Sequence, residues 1–209
     1  IFSKLVSVCG VVRPIVNKDI HLAVRLANGQ TIIGQHNITG KESAPIDSSI
    51  EDIWLTANLE DPTPVEIPIR QKIKDRIAEA DLICYPIGSF YSSVIANLLP
   101  QGVGQAISQN TCPKIFIPNT GNDPEAYGLT VTEQVTRLTK HLKQSGAPNT
   151  KDVLGYVILD TQNGTYPGGI DKTAITQQGI EIIDCPLITP QTTPYINDQN
   201  LVQVLLSLT

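Results

Sequence analysis

Hydrophobic patterning changes character along the chain. Over residues 1–68 the apolar positions form short β-type runs at Val11–Val16, His21–Leu26 and Thr31–Ile33. Leu22, Val24 and Leu26 alternate with Ala23 and Arg25, the period-2 signature of a strand with one wet face. Asn28-Gly29 comes after the second run, and that dipeptide predicts a two-residue type I′ hairpin. Residues 47–61 turn polar, and Pro62, Pro64 and Pro68 interrupt the next stretch, so this segment reads as a connection or a sheet edge. From Ile69 the period changes. Ile69, Ile73 and Ile77 mark a helical stripe, with Arg70, Lys72, Lys74 and Arg76 on what reads as its solvated face. Helices are likewise predicted over Phe90–Leu99, stopped by Pro100, and along Val131, Val135, Leu138 and Leu142. A weaker one is expected over Ile170–Gln178 and a closing one over Asn197–Leu208. Between them lie continuous apolar runs at Leu82–Tyr85, Lys114–Ile117, Val153–Leu159 and Glu181–Leu187, as buried parallel strands require. The expected fold is therefore α/β: a parallel sheet with helices on both faces over 69–209, preceded by a β-hairpin segment and connection over 1–68.

Composition narrows the function classes. The 209 residues are 41% hydrophobic and 17% charged, a folded rather than a disordered chain. A net charge of −5 argues against nucleic acid or anionic lipid across a broad face, because phosphate neutralisation needs a basic surface. A small phosphorylated ligand needs only local positive potential and stays open. No apolar run is long enough to span a membrane, and the opening stretch lacks the continuous apolar core and cleavage site of a secretion signal. Cys9, Cys84, Cys112 and Cys185 form no Cys-x-x-Cys pair and read as buried, reduced small hydrophobes. A cytoplasmic chain is expected, so the sequons at Asn37 and Asn163 carry no consequence. The chain contains no methionine and opens at Ile1, so the expectation is a fragment, a processed chain or a sequence from which methionines are missing.

Ligands of open parallel sheets bind beyond the carboxyl ends of the strands. The first such end, Tyr85–Ser93, offers Gly88 for a tight turn, Ser89 as a helix cap, and the Ser92 and Ser93 hydroxyls in the first turn. An anion suits that position, and an ordinary capped helix start is the competing reading. The second, Ile117–Gly128, places Asn119 where it could read a base or a sugar hydroxyl. Asp123 and Glu125 there read either as cation ligands or as solvated loop carboxylates. The third, Asp160–Gly169, is glycine-rich and equally ambiguous. His21, His36 and His141 have no Gly-x-Ser-x-Gly partner, which argues against acyl transfer. All three read as surface or satisfied histidines.

The stretch Ala80-Asp-Leu-Ile-Cys-Tyr-Pro-Ile-Gly-Ser-Phe-Tyr-Ser-Ser-Val-Ile-Ala-Asn-Leu-Leu-Pro100 resembles the signature of the CofD/YvcK family. The resemblance continues at Gly102–Ile107 and at Asn119–Gly128, where the loop is one residue shorter. It extends back to Ser3-Lys-Leu and to His21–Leu26, which is similar to the YvcK-type hairpin. It implies a Rossmann-like fold that binds a nucleotide-diphosphate conjugate, either a GDP-linked donor or a UDP-sugar. Gly88 and Ser89 would form the phosphate loop, with Tyr91, Ser92 and Ser93 beside it; Asn119, Thr120 and Gly121 would form the second loop. Tyr85-Pro86-Ile87 replaces the family's G-P-G entry, so one glycine is lost. The family's glycine-rich N-terminal loop and acidic metal-binding motif are absent, which places any Mg²⁺ ligands outside this chain. The resemblance supports two readings. One is a nucleotide-conjugate binder with 2-phospho-L-lactate transferase-like chemistry open to it. The other is a non-catalytic nucleotide-sugar-binding regulator of carbon metabolism or cell-wall synthesis. A homodimer is compatible with either.

Overall fold

The computed structural model describes residues 10–39 and 45–209. Cys9 and the N-terminal part of the resemblance lie outside the described residues. Near the N-terminus β1 (His21–Leu26), β2 (Thr31–Ile33) and β3 (Ile50–Thr56) form an antiparallel sheet in the order β2-β1-β3. The alternation in β1 places Leu22, Val24 and Leu26 in the core, while Arg25 points outward and meets Asp52 of β3 at 3.5 Å. The β1–β2 connection is not the two-residue turn expected. Leu26 pairs with Gln30, Gly29 N donates to Leu26 O at 2.9 Å, and Gly29 adopts φ 87°. The loop therefore has three residues, with the glycine alone supplying the left-handed position. Two further expectations change. No strand is assigned at Val11–Val16, where Val11 and Val12 are exposed and no backbone–backbone hydrogen bond is made among the described residues. The polar stretch after Asp47 contains β3, an edge strand whose Ile50, Ile53 and Leu55 are buried.

The second sheet is parallel throughout: β4 (Ile83–Tyr85), β5 (Lys114–Phe116), β6 (Tyr156–Leu159) and β7 (Glu181–Asp184), adjacent in chain order. Helices flank it: α2 (Gln71–Ala78), α3 (Val103–Gln109), α4 (Val131–Gln144), α5 (Lys172–Thr176) and α6 (Asp198–Leu206), after the single turn α1 (Gln35–Ile38). Strand alternation separates two apolar clusters. Ile115, Ile117 and Ile158 pack with Leu187 against Leu201, Val204 and Leu205 at the α6 end of the chain. Phe116, Val157 and Leu159 join the larger core, which includes the α4 stripe Val131, Val135, Leu138 and Leu142 and the inner face of the antiparallel sheet. Helix α4 begins with a capping box, in which Thr130 Oγ1 accepts from Glu133 N at 3.1 Å and Glu133 Oε2 accepts from Thr130 N at 2.8 Å. It crosses α3 at Gly104, where a Cβ would lie 1.8 Å from Leu142 O, so no larger residue fits without separating the helices.

The predicted helix over Phe90–Leu99 is a π-helical turn, Phe90–Val94, continued by a 3₁₀ turn, Ile95–Leu98. Val94 N reaches Ser89 O at 3.3 Å, five residues back. Turns of this kind inside helical segments occur frequently at functional sites. The described cysteines, Cys84, Cys112 and Cys185, are free thiols, but they are half-buried rather than buried.

Candidate functional site

A cavity of about 220 Å³ opens beyond the carboxyl ends of β4 and β5. Pro86, Gly88, Phe90 and Val94 come from the first strand-end loop and its turn. Asn119, Gly121, Asn122, Asp123, Tyr127 and Gly128 come from the second, and Pro167 from the third. Phe116 forms the floor, with its ring centroid 6.1 Å from that of Phe90. Among the described residues no lysine or arginine lines the cavity; its polar side chains are Asn119, Asn122, Asp123, Tyr127 and Gln134.

The rim is organised by two carboxylates. The first N–H groups of a helical segment have no partner within it and attract anions. Here they meet Asp123 and Glu125. Phe90 N donates to Asp123 Oδ2 at 2.6 Å, and Tyr91 N and Ser92 N donate to Glu125 Oε2 at 3.1 and 2.7 Å. The Ser92 hydroxyl donates to Glu125 Oε1 at 2.5 Å. Asp123 Oδ1 accepts from Glu125 N at 3.2 Å, which folds the acidic turn back on itself. Glu125 is only 1% exposed, and burial pushes both carboxyls above the usual carboxylate range while the amide hydrogen bonds pull them down. Glu125 is buried and Asp123 half-buried, and together they clamp the second loop onto the start of the Phe90–Val94 turn. Among the described residues no group of three or more His, Cys, Asp or Glu side chains is arranged to hold a metal ion. Both carboxylates beside the cavity accept backbone amides, and among the described residues no further His, Cys, Asp or Glu joins them to complete a site for the magnesium ion that the resemblance implies.

The residues singled out from sequence divide into two sets. Gly88, Asn119 and Gly121 line the cavity together. Asn119 Oδ1 accepts from Gly121 N at 2.9 Å, which shapes the second loop. Among the described residues the N–H groups of Ile87, Gly88 and Ser89 make no hydrogen bond, and of the three residues Gly88 lines the cavity. Ser93 sits beneath Gly88, 3.1 Å from where a Cβ would be. The other set is turned away. Tyr91 is buried, with its hydroxyl pushed up to about 12 by burial; it donates to Ile50 O at 3.1 Å and accepts from Arg137 Nη1 at 2.8 Å. Ser92 serves the carboxylate clamp. Thr120 is buried and donates to Pro194 O at 2.9 Å. Phe116, Gln134, Tyr127 and Pro167 escaped the sequence reading. Gln134 stands at an ordinary polar position of a helix face, with no local signal. Phe116 is one apolar residue of a strand among several.

The third strand end is structural. Asp160 is 1% exposed and accepts from Asn163 N at 2.9 Å, Leu187 N at 2.8 Å and Ile188 N at 2.9 Å, tying the loops after β6 and β7 together. Asp184 is held down to about 2, its hydrogen bonds to Lys172 and Thr161 outweighing desolvation. His141 departs from expectation: it is buried, its imidazole makes no hydrogen bond among the described residues, and desolvation depresses it to about 4.

The sequence profile of the family described as 2-phospho-L-lactate transferase CofD matches residues 1–188. The chain belongs to the CofD family. Within it, a putative gluconeogenesis factor of Nostoc sp. is 29% identical over 217 residues, covering 98% of this chain and 44% of the relative. The gluconeogenesis factor of Bacillus subtilis is 28% identical over 194 residues, covering 90% of this chain and 57% of its own. That of Halalkalibacterium halodurans is 31% identical over 169 residues, covering 78% and 47%. The chain thus spans roughly half the length of these CofD-family relatives. The crystal structure of a UPF0052-family protein from Bacillus halodurans superposes with a TM-score of 0.76 at 22% identity, covering 98% of this chain and 64% of that one. That likeness supports the Rossmann-like α/β fold.

Proposed function

We propose that this CofD-family chain binds a nucleotide-diphosphate conjugate, with the cavity beyond β4 and β5 taking its uncharged end, a base or a sugar. The carrying observation is a cavity lined by amide side chains and by Gly88, whose N–H, like those of its neighbours Ile87 and Ser89, is unpaired among the described residues. Amide side chains read the donors and acceptors of a neutral ring, the Phe90 and Phe116 rings supply apolar wall, and backbone N–H groups donate to phosphate oxygens. A volume of about 220 Å³ is below the roughly 300–1,000 Å³ of a complete ligand pocket, so it suits one ring and not a whole conjugate. The remaining contacts are assigned to residues outside this cavity.

Binding without chemistry is the reading these residues favour. The one carboxylate on the cavity wall, Asp123, is engaged by two amides, which leaves no free acid or base at this end of the site. It agrees with a nucleotide-sugar-binding regulator of carbon metabolism or cell-wall synthesis. Phospholactyl transfer is the second reading, favoured by the family's own description, and it requires catalytic groups from outside this chain. A thermal-shift panel of UDP-sugars, GDP and GMP, with and without Mg²⁺, on the full-length protein tests the proposal. A ligand at 100 times its Kd adds about 2.7 kcal/mol. Stabilisation by a conjugate, weakened in Gly88→Val, is expected. No stabilisation by any member overturns it, and turnover of a GDP-linked donor would favour the transferase reading.

A further inference from the structure

A second concave surface lies away from the site described, between the Arg13–Pro14 segment and α2. It encloses about 690 Å³ and is lined by Arg13, Arg70, Lys72 and Arg76, with Asp75 and Glu79 as its acidic members. In a chain of net charge −5 this is a local concentration of positive charge.

Its donors outnumber its acceptors. Both acidic groups have partners: Asp75 accepts from Gln71 Nε2 at 2.8 Å, and Glu79 pairs with Arg76 at 3.2 Å. Arg13, Arg70 and Lys72 form no salt bridge among the described residues. Arg70 Nη2 donates to Pro14 O at 2.6 Å, which closes one side of the cavity, and its Nε–H is buried with no acceptor among the described residues. Arg70 is also the N-cap of α2, where no side chain caps the helix and no acidic residue stands in the first turn. The Gln71 and Lys72 N–H groups make no hydrogen bond among the described residues. Guanidinium, ammonium and amide donors all lack the same thing.

We propose that this cavity is a binding site for a small, multiply anionic phosphate compound, distinct from the nucleotide-conjugate site. The class is set by the groups present. Arginine matches phosphate oxygens in a planar, forked geometry, lysine adds a point charge, and the exposed amides at the helix start add directional donors. The surface is concave and its charged side chains converge from two segments, which suits a small compound.

Calorimetric titration of the full-length protein with inorganic tripolyphosphate, at fixed ionic strength, tests this. Saturable one-to-one binding is expected, weakened at least tenfold in Lys72→Gln and in Arg70→Gln and retained in Gly88→Val. Lys72 is exposed and forms no salt bridge among the described residues, so its variant is expected to leave the structure intact. Binding lost in Gly88→Val but kept in Lys72→Gln would place the anion at the β4–β5 cavity, overturning this proposal while supporting the other. Absence of saturable binding, or equal affinity in wild type and Lys72→Gln, would overturn it outright.

Discussion

Two helix starts in this molecule solve the same electrostatic problem in opposite ways. At Phe90 the unpaired N–H groups and the positive end of the turn are met by Asp123 and Glu125, drawn from a loop more than 30 residues away. At Gln71 the corresponding groups meet no carboxylate, and arginine and lysine crowd around them. The first start has its anion built in; the second lacks one. The contrast shows that a helix N-terminus cannot be read as a ligand site from its own sequence. What decides is whether another segment of the chain has already delivered a negative charge to it.

Removing the built-in anion is the most severe way to break the contrast. Glu125→Ala should lower stability by about 4 kcal/mol, because it leaves the Tyr91 and Ser92 amides and the Ser92 hydroxyl without their acceptor in a buried site. Urea denaturation measures it; a loss below about 1 kcal/mol would mean the clamp contributes little beyond position. A third helix start calibrates the scale. Thr130→Ala, which breaks the capping box of α4, should cost about 1 kcal/mol in the same assay.

The converse substitution supplies what α2 lacks. Arg70→Ser installs a cap and removes the orphan Nε, so it should raise stability by about 0.5 kcal/mol after the lost contact to Pro14 O is counted. The same variant should abolish tripolyphosphate binding. A fall in stability would show that the guanidinium stabilises the fold more than it frustrates it. The smallest effect is the pH slope of the clamp. Burial raises the Glu125 carboxyl, so on acidification the native chain binds its proton before the unfolded chain does, and this contribution to stability grows as pH falls. Wild type should therefore gain on Glu125→Gln between pH 7 and pH 5, by a few tenths of a kcal/mol. His141 acts with the opposite sign: its folded value of about 4 lies below the ordinary 6.5, so stability is lost as pH falls between them. That loss is common to both proteins and cancels in the difference.

The parallel sheet was legible because buried parallel strands are continuous apolar runs and amphipathic helices separate them, as Lys114–Ile117 and the α4 stripe illustrate. Strand β3 was obscured by its charged and polar members, Glu51 and Asp52, and by the prolines just beyond it, which suit an edge as well as a loop. In the site, Gly88 and Asn119 were legible as loop residues at adjacent strand ends. The clamp was not, although Asp123-Pro-Glu125 stands in plain view. Its role depends on β5 lying beside β4, so that a loop after one strand reaches the helix start after the other. The signal exists only once strand order is known. Likewise Tyr91 and Ser92 look interchangeable with their neighbours in sequence, and a π-helical turn sends one to the core and the other to a carboxylate.

The Arg137 guanidinium gives that turn a longer reach. It holds the Tyr91 hydroxyl at 2.8 Å and Ile50 O at 2.5 Å, so one rigid fork grips both the turn at the cavity and the first residue of β3. An occupant that shifted the Phe90–Val94 turn would have to break those bonds or pull the end of β3 along with it. In the second case an event at the mouth of the parallel sheet would be transcribed into a change of outline on the antiparallel one, where another molecule could sense it without ever touching the ligand.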